Sequence, residues 1–526
     1  MARVLVTEEL AETGLDVLRA AGNDVDVRLG LSPAELLDVV AGAHALIIRS
    51  ATTVTSDVLS RGKDLVVVGR AGIGLDNVDV AAATKQGVMV VNAPQSNILS
   101  AAEHAMALML AQARNVPQSY AAIRAGKWER SRWQGVELHG KVLGIIGLGR
   151  VGALVAQRAL SFGMRLVAYD PYVSPDRARQ MNVTMLSLDE LVATADFVTI
   201  HLPKTAETMG LIDRDLLRKA KPGIRIVNTA RGGIIDEEAL AEAIRDGTVG
   251  GAGLDVFTHE PCVSSPLFEL DSVVATPHLG ASTVEAQDKA GVTIAEQVNL
   301  ALAGEFVPFA VNVSAAAASE TIKPFLPLAE HLGRIFACLH EGLPERLEIT
   351  YEGGLSGYDT GILTLSAVKG ILGGVSEEPV TYVNAPQLAQ EHGLEITEAS
   401  TSTTRDFVNL MVLRSQGHAV AGTLTGARGE ERLVMMDDHP IEVPPARHML
   451  VVRNDDRPGM IGTVGTVLGA ARISISSMAV GPSTGLGRDH TALMVLSTDR
   501  GVEKGTLTEL RNAPGIHEAH AITAMA

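Results

Sequence analysis

Cysteine is nearly missing from this chain. Cys262 and Cys338 are the two in 526 residues, too few for a disulfide framework or a cysteine-rich metal site. Both are read as inert thiols, and no metal is expected. Basic charge is also short, with a formal net charge of −17. Nucleic acid and anionic membranes need a basic face and are therefore excluded as partners. An anionic substrate would need a local cluster of arginines set against that overall field. No window is apolar and long enough to resemble a membrane span, and no signal-peptide core opens the sequence. A cytoplasmic enzyme is expected. Low-complexity sequence is scarce as well. With 46% hydrophobic residues, the length suggests about three to four folded domains.

What is present is most concentrated between Val142 and Gly152. The apolar run Val142–Ile146 leads into Gly147, Gly149 and Gly152, spaced as G-x-G-x-x-G. The first glycine permits a tight turn, the second lets backbone approach a pyrophosphate, and the third lets the following helix lie close to the strand. Exposed N–H groups at the helix start attract the anion. A second strand, Leu166–Tyr169, ends in Asp170, whose carboxylate can accept bonds from a ribose diol and would repel a 2′-phosphate. NAD is expected over NADP.

Around this unit the pattern repeats. Strand-like runs at Val4–Val6, Ala45–Ile48, Leu65–Val68 and Val88–Val91 alternate with helices, which predicts a parallel sheet covered on both faces. The fold class is α/β: two doubly wound lobes with a cleft between them, then an α+β domain and a ferredoxin-like βαββαβ unit. The expected domains are 1–97 and 283–313 for the first lobe, 98–282 for the dinucleotide lobe, 314–446 and 447–526. The alanine run at 314–319 reads as a linker, and 321–447 carries no constellation of chemical groups.

Three polar segments follow apolar strands of the dinucleotide lobe, holding Arg231, the pair Asp255 and Glu260, and His278. Ligands of open α/β sheets bind beyond the strand C-termini. Oxidising an alcohol requires removal of the hydroxyl proton, which suits histidine. A carboxylate beside it stabilises the imidazolium, and an arginine can clamp a substrate carboxylate. Each has a plainer reading taken alone: a surface ion pair, a solvated loop acid, a buried histidine. Their order on successive strand ends after a cofactor motif favours function.

These segments, with Gly69–Asp79 in the first lobe and Pro277–Thr283, resemble the D-isomer-specific 2-hydroxyacid dehydrogenases, and most closely the long branch that oxidises D-3-phosphoglycerate. The resemblance implies NAD-dependent oxidation to 3-phosphohydroxypyruvate, opening serine biosynthesis. It makes Arg231 the substrate-orienting arginine, Glu260 the acid paired with histidine, and His278 the proton donor and acceptor. It extends the cofactor contacts to Arg150, Val151, His201, Leu202, Pro203, Thr208, Thr229, Ala230, Arg231, Asp255, His278 and Gly280, with Asp255 holding the nicotinamide carboxamide. The substrate set becomes Arg49, Ser50, Arg70, Gly72 and Asn97. Phosphoglycerate carries a carboxylate and a phosphate, so Arg49 and Arg70, each just past a first-lobe strand, would supply the extra cations. Arg130 or Arg132 would reach a neighbouring subunit's site.

The last segment resembles an ACT domain, a small module that often senses amino acids. Asn454, Asp456 and Ser474 are the effector candidates for L-serine, although Asn454 and Ser474 depart from the serine-sensing pattern. A homo-oligomer, dimer or tetramer, is implied. The alternatives are a hydroxypyruvate or glyoxylate reductase, or an NAD-sensing regulatory protein without catalysis.

Overall fold

Five short strands build the first lobe's sheet in the spatial order Asp24–Val27, Arg3–Val6, Ala45–Ile48, Val67–Arg70, Met89–Asn92, every pair parallel. The coordinates are a computed structural model, which describes residues 1–313, 321–340, 342–376, 380–404, 406–426, 428–482 and 491–522. The alanine run expected as a linker, 314–319, lies outside the described residues. Side chains alternate across this sheet. Val4 and Val6 enter one core with Ile294 and Val298, while Leu5 enters the other with Leu36 and Leu46. Both faces are therefore apolar and covered. Chain order reverses between Arg3–Val6 and Ala45–Ile48, so a crevice opens beyond those two strand ends.

The second lobe holds a seven-stranded sheet between Val142 and Ala275, again wholly parallel, in the order 3-2-1-4-5-6-7 along the chain. Its reversal falls between Val142–Ile146 and Phe197–Ile200. Ser187 and Glu190 form a capping box at the helix Leu188–Thr194, as Ser32 and Glu35 do at Pro33–Val39. The helix Val284–Leu302 carries the chain back to the first lobe. There Val311 N donates to Val90 O and Asn312 Oδ1 accepts from Val90 N.

Beyond residue 321 a six-stranded mixed sheet is followed by a four-stranded antiparallel one. The latter runs Ile475–Pro482, Thr491–Thr498, His448–Asp455, Ile516–Ile522, the ferredoxin-like order. The helix Phe325–Leu339 puts nine residues into a core that contains Ile349 and Leu413 of one sheet and Val451, Val495 and Ile522 of the other. The two sheets thus share one interior. The first ferredoxin strand runs through Asp455, where a turn from Asn454 was expected, because Asn454 pairs with Ala492. The second begins at Ile475, because Ile473 N is still bonded to Leu468 O at the helix end. Among the described residues no helix is long and apolar enough to cross a membrane.

The return helix meets the first lobe at a glycine contact. A Cβ on Gly14, in the helix Glu12–Ala20, would lie 2.6 Å from the carbonyl carbon and oxygen of Gly291. Backbone cannot yield as a side chain can. Gly14→Ala is expected to lower stability by about 1–3 kcal/mol, the cost of overpacking, where a free helix would gain about 0.5–1 kcal/mol. Denaturant unfolding checks this, and an unchanged or raised midpoint would contradict the contact.

Candidate active site

At the second sheet's reversal the glycine turn is shaped for backbone contacts. Gly147 has φ +95°, and a Cβ on it would meet the His201 carbonyl oxygen at 2.7 Å. A Cβ on Gly152 would collide with Gly147 O, so glycine lets the helix Arg150–Ser161 lie against the turn. A Cβ on Gly149 would meet no other group, and no side chain caps the helix there. Its first N–H groups, around Arg150 and Val151, therefore have no capping side chain. Asp170 accepts from Leu148 N at 2.8 Å and Tyr172 N at 2.9 Å, tying the turn to the second strand. Thr229 Oγ1 is buried without a partner, and Ala230 N is held by Asn228 Oδ1 at 3.0 Å. An anion-ready helix start and an orphaned hydroxyl fit a dinucleotide. Burial pushes the His201 imidazole toward its neutral form, and Thr199 Oγ1 lies 2.9 Å from its Nε2. Leu202 and Pro203 follow it; Thr208 Oγ1 donates to Pro203 O at 2.7 Å and so closes that loop.

Between the lobes lies a cavity of about 830 Å³. Its wall includes Arg49, Ser50, Arg70, Gly72 and Asn97 from the first lobe and Glu260 and His278 from the second. His278 Nδ1 is 2.6 Å from Glu260 Oε2, while Glu260 Oε1 accepts from Phe257 N at 3.0 Å. Burial would raise the Glu260 carboxyl, but the bonds from His278 and Phe257 outweigh it and hold it below the usual carboxylate range. An ionised Glu260 accepts a hydrogen bond from Nδ1–H, which leaves Nε2 free to accept a proton.

Arg70 is largely buried and its Nε has no partner. Burial first, then the like charge of Arg231, pushes its pKa down to about 10, with Asp76 and Glu8 opposing. It remains a cation near neutrality, poorly solvated and ready for an anion. Asn97 Oδ1 is likewise buried and unpartnered at the start of the helix Ile98–Ala113. Arg231 enters differently from the expected clamp. It stands outside the cavity wall, where its Nε donates across the cleft to Asp76 Oδ2 at 3.2 Å and its Nη1 to Ala230 O at 2.7 Å.

Asp255, expected toward the nicotinamide carboxamide, is engaged within the protein. It is fully buried, and its oxygens accept from Leu279 N at 2.7 Å, Gly280 N at 2.8 Å and Thr276 Oγ1 at 2.6 Å. Burial raises its carboxyl, yet His104, Thr276 and Leu279 together hold it low. The carboxylate therefore organises the loop on which His278 adopts φ +56°. His104, missed in the sequence, lies 3.1 Å from Asp255 and 3.0 Å from Thr276 Oγ1. The one signal was a lone imidazole in an alanine-rich helix.

Two other expectations concern neighbouring copies of the chain. Arg132, half exposed, is paired within its own chain with Asp271 and Glu129 and lies over Trp133. The effector candidates do not converge in one chain. Asn454 pairs with Ala492 at one end of the sheet and Asp456 follows it, whereas Ser474 N donates to Asp499 beyond the His448–Thr498 pair at the other. Among the described residues no group of three or more His, Cys, Asp or Glu is placed to hold a metal.

Comparison with known proteins agrees in three segments. Residues 106–280 match the NAD-binding domain of the D-isomer specific 2-hydroxyacid dehydrogenases, 321–437 the D-3-phosphoglycerate dehydrogenase intervening domain, and 448–515 the ACT domain. A D-3-phosphoglycerate dehydrogenase of Mycobacterium leprae is 49% identical over 94% of each chain. One from Synechocystis is 43% identical over 99% of this chain and 95% of its own. Among solved structures, a Thermus thermophilus protein (39% identity, TM-score 0.56) covers 59% of this chain and 99% of its own. A D-lactate dehydrogenase of Aquifex aeolicus, complexed with NAD and lactic acid, covers 57% and 96% (26% identity, TM-score 0.51). The chain belongs to the D-3-phosphoglycerate dehydrogenase family, within the D-isomer specific 2-hydroxyacid dehydrogenases.

Proposed function

We propose that the interlobe cavity oxidises D-3-phosphoglycerate to 3-phosphohydroxypyruvate. The observation that carries this is the His278–Glu260 pair at 2.6 Å, in the same cavity wall as Arg49 and as Arg70, whose buried Nε has no partner. NAD, when bound, supplies the acceptor for the hydride leaving C2. It would be held by Gly147, Gly149, Arg150, Val151 and Gly152, with Asp170 toward the ribose and Thr229 toward the far end. His278 Nε2 takes the hydroxyl proton as C2 becomes a carbonyl. Glu260 keeps Nδ1–H in place and stabilises the imidazolium. Arg49 and Arg70 bind the substrate's anionic groups, while Arg231, once released from Asp76, clamps its carboxylate. A reductase for an unphosphorylated oxo acid would have no use for both first-lobe arginines.

The effector reading keeps Asn454, Asp456 and Ser474, and requires two copies of the chain, since one copy separates them along the sheet. L-serine is the ligand to be tested, on a homo-oligomer, and a cytoplasmic setting with its NAD pool goes with this reading.

His278→Ala is expected to lower kcat by about 100-fold or more, the range for a general base, as followed by NADH absorbance; unchanged turnover would reject the assignment. Arg70→Ala is expected to raise KM for D-3-phosphoglycerate by about tenfold or more, the loss of a charge-assisted hydrogen bond, with a smaller effect on kcat. An unchanged KM would remove Arg70 from substrate recognition. A panel of phosphorylated and unphosphorylated 2-hydroxy acids, with and without L-serine, tests the substrate and effector together.

A further inference from the structure

The loop that carries Arg49 and Ser50 into the cavity has no regular secondary structure of its own. It nevertheless has side-chain partners on both sides. Glu8, just past the strand Arg3–Val6, accepts from Arg49 N at 2.8 Å and Thr52 N at 2.9 Å through Oε1, and from Ala51 N at 3.0 Å through Oε2. Asn77 Nδ2 donates to Arg49 O at 2.8 Å and Thr52 O at 2.6 Å. Arg49 Nη1 then reaches Glu9 O at 3.3 Å. Glu8 and Arg49 follow the two strands between which the first sheet reverses its order, where the crevice of such a sheet opens. Glu8 had no signal in sequence beyond being a polar residue after a strand, and Asn77 lay in the Gly69–Asp79 segment without a role of its own.

We propose that Glu8 and Asn77 are positioning residues for substrate recognition, holding the Arg49–Thr52 loop from opposite sides so that the Arg49 guanidinium is presented to an anionic group of the substrate. This rests on the reading of Arg49 as a substrate ligand. An unclamped loop would have to be ordered at each binding event, which weakens affinity without changing the chemistry that follows. The residue types suit the task. Both oxygens of a carboxylate accept, so three N–H groups can be met at position 8. A glutamine there would turn its own N–H₂ toward Arg49 and Thr52 or toward Ala51, donor against donor. At position 77 an amide nitrogen offers two protons for two carbonyls, and aspartate would offer none. Burial raises the Glu8 carboxyl, but the amides of Ala51, Thr52 and Arg49 outweigh it and hold it below the usual range.

The test is a double-mutant cycle in the full-length enzyme, with NAD and D-3-phosphoglycerate, on Glu8→Gln, Arg49→Ala and the pair. Glu8→Gln is expected to raise KM for D-3-phosphoglycerate by about tenfold, the scale of one charge-assisted hydrogen bond, with kcat and the KM for NAD nearly unchanged. In the Arg49→Ala background the same substitution adds no further rise, because it acts through that side chain. Three results would overturn the proposal: no change in KM, a fall in kcat at constant KM, or a rise that persists in full without Arg49. If Arg49→Ala itself leaves KM unaltered, the substrate role of Arg49 has failed, and that is seen separately from the clamp. Should Glu8→Gln not fold, as judged by circular dichroism, Asn77→Ala takes its place in the same cycle with the same expected and contradicting results.

Discussion

The buried carboxylate of Asp255 is the interaction on which the catalytic face depends. It accepts two consecutive backbone N–H groups, from Leu279 and Gly280, together with the Thr276 hydroxyl. His278, immediately before them, sits in the left-handed region at φ +56°, which costs a non-glycine residue about 1–3 kcal/mol. Hydrogen bonds to a charged group contribute about 1.5–3 kcal/mol each, so this set is large enough to hold the strained residue in place. The imidazole is thereby aimed at Glu260. Asp170 treats the glycine turn in the same way, through Leu148 and Tyr172.

An acidic protein recognising an acidic substrate is a contradiction only at long range. With a Debye length of about 8 Å at physiological salt, distant carboxylates of a chain carrying −17 are screened. The cleft is governed by what stands beside it, which includes Arg49 and Arg70 in the wall and Arg231 at its edge. The Arg231–Asp76 pair spans the two lobes at 3.2 Å. Asp76, more than half exposed, occupies the guanidinium that the proposed function assigns to the substrate carboxylate.

Much of this architecture was legible in the sequence, and the part that was not has a common cause. The glycine turn, Asp170 and the helices Ile98–Ala113, Val284–Leu302 and Met460–Ala470 are encoded locally, by spacing and apolar periodicity. His278 and Glu260 are 18 residues apart and still fell into recognisable segments. By contrast, Glu8 meets a loop 41 residues on, Asp76 meets Arg231 across 155, and His104 meets Thr276 across 172. Nothing near those residues announces their partners. Asp255 was found, but the bonds it accepts were not, because its sequence neighbours give no sign that the next strand's loop would surround it. The shared core beneath the two C-terminal sheets was equally hidden, since it depends on which face of the helix Phe325–Leu339 meets which sheet.

The account requires that His278 Nε2, and not another group, face the carbon that loses hydride. The most direct measurement is a crystal structure of the full chain with NADH and D-3-phosphoglycerate bound together. The expected result places Nε2 about 2.6–3.2 Å from the C2 hydroxyl oxygen, hydrogen-bond reach for a general base, with Arg49 or Arg70 on the substrate's anionic groups. An imidazole turned away from that oxygen in the closed complex, with neither arginine on a substrate anion, would contradict it.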